Sequence, residues 1–142
     1  MLRMLGLAAA LLLSAESALA HGEEPAAPPP KKPAPLFPVQ VVQTRKGAIL
    51  ADPRGMTLYT FDRDSFGNRS TCEGKCSERW KPLVAADDAQ AKGDFTVIIR
   101  SDGSKMWAYR YRPLYTSQYD KVPGDINGYD SANLWHIARP AY

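Results

Sequence analysis

Two related segments of this chain each end an alternating apolar run with Leu-Tyr and carry an aspartate five residues after the tyrosine. Tyr59 and Asp64 belong to the first segment, and Tyr115 and Asp120 belong to the second. A repeat distance of roughly fifty residues indicates a duplicated structural unit. Alternation with a period of two is typical of strands, and an aspartate after such a run favours a turn. The sequence therefore predicts a duplicated β-motif packed into one small domain.

The first twenty residues have the pattern of an export signal. Arg3 supplies a positive charge, residues 5–13 form an apolar run, and residues 18–20 read Ala-Leu-Ala. Such a run is too short to span a bilayer, and small residues of this kind precede a cleavage site. We therefore expect residues 1–20 to be removed and the mature chain to begin at His21, as a soluble periplasmic or secreted protein.

The next segment, residues 21–38, is predicted to be a disordered linker. Seven of its eighteen residues are proline, and such a composition cannot bury enough apolar surface to fold. The remaining chain, residues 39–142, is long enough for one core. Within it we place the two repeats at about residues 47–84 and 95–140. The net charge is +3 with scattered basic residues, which argues against nucleic-acid binding.

Turn residues and alternating patterns predict a mainly β fold with one short helix. A turn at residues 52–55 is expected to join the second and third strands as a hairpin, and Ser77 is expected to cap the helix, with Trp80 on its buried side. The predicted strands lie at residues 39–42, 48–50, 56–61, 95–100, 105–111, 114–117 and 134–138. The predicted fold is thus a small single domain of two degenerate β-hairpin-type repeats.

These residues resemble a bacterial secreted repeat family of unknown function, whose members are exported proteins and lipoproteins. The family is named for a Tyr-x-aromatic-x-x-Asp motif. The matching residues are Tyr59, Phe61 and Asp64 in the first repeat and Tyr115 and Asp120 in the second. Ser117 stands where the second repeat should have an aromatic residue, which argues against two equivalent aromatic sites.

Other segments carry the same resemblance. Residues 72–76 are similar to the family's Cys-x-Gly-x-Cys segment, and residues 80–83 to its Trp-Pro-Pro-Leu segment. The turn-rich residues 123–128 and the terminal Leu-Trp-His of residues 134–136 are also similar. The resemblance implies an exported, lipoprotein-like module for which no activity is generally established.

The two cysteines, Cys72 and Cys76, have two interpretations. In an oxidising compartment an even count at close spacing favours a disulfide, which a loop with a central glycine can close. The alternative is a periplasmic copper site, because this spacing also holds a soft metal on thiolates. His136 would then be the third ligand. No other cofactor is expected.

Asp62 and Asp64 are two carboxylates near one strand end. Such a pair can divide acid and base roles in a hydrolase. However, an aspartate after a strand commonly accepts backbone N–H groups in an Asx-turn, and Asp120 occupies the same place in the second repeat. We therefore expect a structural role and predict that the protein is not an enzyme.

The sequence also offers a recognition surface. Alternation places Trp107, Tyr109 and Tyr111 on one face of a strand, with Arg110 and Arg112 beside them. Aromatic residues of this kind also fill the cores of small β-domains, so core packing is the competing interpretation. The function expected from the sequence is a non-catalytic module that binds an envelope component or a small ligand.

Overall fold

The computed structural model describes residues 37–64 and 69–141 of the chain. The predicted signal peptide and most of the predicted linker lie outside these residues. At the start of the described part, Pro38 is buried, and the Phe37 ring packs edge-on against Phe95 and Trp107, with centroid distances of 4.8 and 5.7 Å. Phe37, near the end of the predicted linker, therefore packs against the second repeat.

The described residues are mainly β, as the sequence predicts. The strands are β1 (Gln40–Thr44), β2 (Gly47–Ala51), β3 (Leu58–Phe61), β4 (Trp80–Pro82), β5 (Phe95–Ile99), β6 (Lys105–Tyr109), β7 (Arg112–Pro113), β8 (Tyr115–Ser117) and β9 (Trp135–Ile137). One α-helix, α1, spans Lys75–Arg79, and a 3₁₀ turn spans Ser131–Asn133. Every predicted strand corresponds to an observed strand, with ends that differ by a few residues.

The strands form three antiparallel sheets. Strands β1 and β2 form a hairpin, and β5, β6 and β7 form a three-stranded sheet. The central sheet has four strands in the order β4-β8-β3-β9. Its two inner strands meet with Tyr59 directly opposite Tyr115, so the two repeats are related by a local two-fold relation at this point.

The repeats are interleaved in the central sheet. Strand β4 of the first repeat pairs with β8 of the second, and β9 of the second repeat pairs with β3 of the first. The prediction of a hairpin between the second and third strands is wrong: only one bridge, Ala51 to Thr57, joins them. The hydrogen-bonding edges of β3 are instead occupied by β8 and β9.

The helix begins two residues earlier than predicted. Ser77 lies inside α1 rather than at its start, and its hydroxyl donates a 2.8 Å hydrogen bond to the Cys72 carbonyl oxygen. Trp80 is buried, but it opens strand β4 instead of lying on the helix. Pro82 is the last residue of that strand.

Both faces of the central sheet are covered. All four residues of β3 are buried, and successive side chains of a strand point to opposite faces. Tyr59 accordingly packs in one core cluster with Ile49 and Met106, whereas Leu58 packs in a second cluster with Leu50 and Trp107. The motif tyrosines thus lie inside the protein and not on an open sheet face.

Candidate functional site

The tyrosine of each repeat is hydrogen-bonded to the aspartate of the other repeat. The Tyr59 hydroxyl donates to Asp120 Oδ2 at 2.8 Å, and the Tyr115 hydroxyl donates to Asp64 Oδ2 at 2.8 Å. Both tyrosines are 0 % exposed, and both aspartates are buried. The motif residues therefore connect the repeats through two equivalent internal bonds.

The second oxygen of each aspartate holds the loop that follows it. Asp64 Oδ1 accepts the Thr71 backbone N–H at 2.7 Å, and Asp120 Oδ1 accepts the Asn127 backbone N–H at 2.7 Å. In both cases the donor lies seven residues after the aspartate. The aspartates accept backbone N–H groups as expected, but the bond spans a longer loop than the Asx-turn that the sequence suggested.

Burial sets the protonation of these groups. It raises the pKa of the Tyr59 hydroxyl and of the Tyr115 hydroxyl, so both remain protonated donors at neutral pH. Burial also raises the pKa of Asp120, while the hydrogen bond from Tyr59 acts in the opposite direction. Each tyrosine thus keeps its proton directed at a carboxyl oxygen.

An aromatic stack lies beside these bonds. The Trp80 and Trp135 rings are stacked with centroids 3.7 Å apart, and Phe61 stacks on Trp135 at 4.3 Å. Ser117, which replaces the second motif aromatic, lies opposite Trp80 in the sheet. A Cβ atom placed on Gly128 would lie 2.9 Å from Ser117 Cβ, so the Gly128 loop already occupies the space beside this position. The departure from the motif at Ser117 accommodates that loop.

Cys72 and Cys76 form a disulfide with Cα atoms 5.1 Å apart. The bond removes both thiolates that the copper alternative requires. His136 is committed elsewhere, since its Nε2 lies 2.7 Å from Asp62 Oδ2. Within the described part of the chain, no three His, Cys, Asp or Glu residues come together as a metal-binding group, so the structure gives no support to copper binding.

A buried arginine that the sequence analysis missed lies beside the disulfide. Arg100 is 7 % exposed, and its Nη2 donates to the Cys72 carbonyl oxygen at 3.0 Å. Its Nη1 donates to Ser70 Oγ at 2.9 Å, and Ser70 Oγ lies 2.8 Å from the Tyr115 hydroxyl. Because Arg100 only donates and Tyr115 donates to the aspartate, the Ser70 hydrogen points to Tyr115. The chain of bonds links the disulfide loop to the motif.

The sequence of the β5 segment does not reveal this arginine, because residues 97–99 read Val-Ile-Ile and are apolar on both faces. Ile98 is 2 % exposed and Ile99 is 66 % exposed, and Arg100 follows the inward face two residues after Ile98. Only the structure shows that Arg100 shares the inward face with Ile98.

The predicted recognition stripe is not a continuous surface. Trp107 is 1 % exposed and packs in the core, which corrects its assignment to a surface. Tyr109 is half-buried, and its hydroxyl accepts the Ala141 backbone N–H at 2.8 Å. Tyr111 is 58 % exposed. Of the three aromatic residues, only Tyr111 at the end of the stripe is therefore largely exposed.

A basic cleft opens next to the end of this stripe. It has a volume of about 310 Å³, and its lining includes three arginines, Arg110, Arg112 and Arg139, together with His136. Asp62 lies at its side, where it accepts a 3.0 Å hydrogen bond from Arg112. The hydrogen bond with His136 is the main cause that lowers the pKa of Asp62. None of the described residues that line the cleft is acidic.

These features define a small, mainly β protein built from two interleaved repeats. The chain belongs to a family described as a secreted repeat of unknown function, whose model matches residues 40–84 and 96–139. A search of curated proteins and a search of solved structures found no match. Among the described residues, no helix is long and apolar enough to cross a bilayer.

Proposed function

We propose that this chain is an exported, non-catalytic binding module of the cell envelope, periplasmic or secreted after cleavage between Ala20 and His21. The observation that supports this proposal is the position of the motif residues inside the protein. Its tyrosines and aspartates are buried and bonded to one another across the repeats. A substrate has no access to them, so the residues that define the repeat serve the fold and leave recognition to the surface.

The surface that suits recognition is the turn between β6 and β7. Tyr111 is exposed there, and Arg110 and Arg112 flank it. Exposed tyrosine and arginine are the residue types enriched where proteins bind partners. The partner class that fits an exported chain of this kind is an envelope component or a small ligand of the envelope.

Site-specific photo-crosslinking in the native host tests this assignment. A photoreactive phenylalanine analogue is placed at Tyr111, which is 58 % exposed, and, as a matched control, at Val41, which is 56 % exposed on β1. We expect a discrete adduct with one envelope component from position 111 and none from position 41. Equal adducts from both positions, or none from either, would overturn the proposed surface.

A hydrolase assignment makes a different prediction from a binding module. If Asp64 were catalytic, Asp64→Asn would abolish turnover while the fold survived. We expect the Asp64→Asn variant to be destabilised instead, because the carboxylate accepts bonds from both Thr71 and Tyr115. Thermal unfolding of the purified variant distinguishes the two assignments.

A further inference from the structure

The turn that borders the basic cleft holds an unfavourable backbone conformation. Arg110 and Tyr111 have φ values of 47° and 65°, in the left-handed region. Two-residue hairpin turns of this kind normally carry Asn-Gly or Asp-Gly, because side chains with a Cβ are disfavoured there by about 1 kcal/mol per residue. Such strain in a structure is a reason to look for a bound ligand. Here the strained turn places Arg110 in the lining of the cleft.

Several cationic groups converge on the cleft. Arg110, Arg112 and Arg139 line it together with His136, and none of the lining residues is acidic. Two carboxylates lie near the rim: Asp62, bound to Arg112 and His136, and Asp94, whose Oδ2 is 3.9 Å from Arg110 Nε. Three guanidinium groups against two carboxylates leave the site positively charged.

Arg110 and Arg139 retain donors for a ligand. Arg139 Nη1 donates to the Lys46 and Ala48 carbonyl oxygens, at 2.7 and 3.2 Å, which fixes the side chain along the cleft wall. Within residues 37–64 and 69–141, its Nε and Nη2 atoms donate no hydrogen bond. Arg110 has only the long contact with Asp94 in the same part of the chain. Both residues therefore present unused N–H groups.

We infer that this cleft binds a phosphate group, as a refinement that rests on the proposed binding function. Guanidinium groups bind phosphate through paired charge-assisted hydrogen bonds, and a group with several acceptor oxygens can be shared by more than one arginine. A volume of about 310 Å³ accommodates a phosphate with a small attached moiety. The phosphate source is a soluble phosphorylated compound or the headgroup of an anionic phospholipid.

Amide NMR of the full mature chain titrated with inorganic phosphate is the primary test. We expect saturable shifts confined to the amides of Arg110, His136, Arg139 and their neighbours. Arg139→Gln should weaken the affinity by about tenfold, since it removes a charged hydrogen-bonding partner. Arg45→Gln is the control, because it removes the same charge from an exposed turn on the β1–β2 hairpin, and it should change the affinity by less than about twofold.

Several outcomes would overturn the inference. If amide chemical shifts change over all basic surfaces, phosphate is attracted by net charge alone. Equal losses of phosphate affinity in the Arg139→Gln and Arg45→Gln variants would mean the same. Equal shifts with acetate at the same concentration would mean that the cleft does not select phosphate. The site would be excluded if phosphate causes no saturable chemical-shift change and the protein does not bind vesicles that contain phosphatidylglycerol.

Vesicle sedimentation identifies the phosphate source. Cosedimentation with phosphatidylcholine vesicles that contain phosphatidylglycerol, lost in Arg139→Gln and retained in Arg45→Gln, would assign the cleft to lipid headgroups. Binding of inorganic phosphate without cosedimentation would assign it to soluble compounds. If neither inorganic phosphate nor the vesicles bind while crosslinking at position 111 succeeds, the phosphate assignment is wrong and the proposed binding function is retained.

Discussion

The hydroxyl of Tyr59 donates a 2.8 Å hydrogen bond to Asp120, which belongs to the other repeat. The bond from Tyr115 to Asp64 is its equivalent with the roles of the repeats exchanged. Each repeat thus supplies one buried donor and one buried acceptor, and neither bond can form within a single repeat. Together with the exchanged strand pairs, this explains why the motif occurs twice in one folded unit.

Interleaving predicts that a single repeat does not fold alone. Cleaving the chain between Gln90 and Ala91, in an exposed connection, separates the repeats and leaves β4 without β8 and β9 without β3. We expect each fragment alone to lack dispersed amide NMR signals and the mixture to recover the spectrum of the intact chain. A fragment that folds as a monomer would contradict the interleaved arrangement.

Gly128 is predicted to be intolerant of a side chain. A Cβ atom there would lie 2.7 Å from Trp80 Cη2 and 2.9 Å from Ser117 Cβ. We expect Gly128→Ala to lower the free energy of unfolding by about 1–3 kcal/mol, measured by chemical denaturation. Adding Ser117→Gly should recover part of the loss because it removes the contacts with Ser117 Cβ and Oγ, both at 2.9 Å. A Gly128→Ala variant as stable as the wild type would show that the loop is not closely packed.

The disulfide is predicted to stabilise the loop that holds Arg100. Replacing both cysteines, Cys72→Ser and Cys76→Ser, should lower the free energy of unfolding by roughly 2 kcal/mol. Reductant should lower the stability of the wild type to that of the double variant. It should leave the double variant unchanged, which therefore controls for effects of the reductant other than cleavage of the disulfide. Intact mass would show the wild type two hydrogens lighter than its reduced form. A wild type insensitive to reductant would contradict a stabilising bond.

The pKa values of two carboxyl groups should differ from the ordinary value of 3.8 in opposite directions. Asp62 should titrate lower, chiefly because of its hydrogen bond with His136, and Asp120 should titrate higher because it is buried. NMR of the side-chain carboxyl carbons measures both pKa values. His136→Gln should move only the Asp62 value, back towards 3.8. An Asp120 carboxyl that titrates at or below 3.8 would contradict its burial.

The two shifts have opposite consequences for stability. The favourable contribution of Asp62 to the free energy of unfolding is present above pH 3.8. It is lost as the pH falls through the lowered pKa of Asp62. It is small because the Asp62 side chain is 40 % exposed. The contribution of Asp120 is present below pH 3.8 and is lost as the pH rises through its raised pKa.

Local pattern was sufficient to predict the repeat and seven of the nine strands of the described residues, but it missed β4 and β7. The alternation around Tyr59 and Tyr115 depends on neighbouring residues, and the structure confirms both segments as strands. The predicted hairpin in the first repeat failed because pairing partners are chosen by long-range packing. Nothing in the spacing of Tyr59 and Asp64 indicates that each is bonded to the other repeat.

The candidate site was predicted only in part. Alternation placed Trp107, Tyr109 and Tyr111 on one face, but it does not say which part of that face another segment covers. Phe37 and the second core cluster cover Trp107, whereas the chain turns after Tyr109 and exposes Tyr111. The contribution of Arg139 to the cleft depends on residues that lie far apart in the sequence.

The central claim, that the motif serves the fold, is tested most directly by equilibrium denaturation of Tyr59→Phe. This change removes one hydroxyl and leaves the buried Asp120 carboxyl without its donor, so we expect a loss of about 1–3 kcal/mol in the free energy of unfolding. Tyr111→Phe removes a hydroxyl from an exposed side chain and should leave the stability unchanged within about 0.5 kcal/mol. A Tyr59→Phe variant with wild-type stability that no longer binds its ligand would contradict the account and make the motif a recognition site.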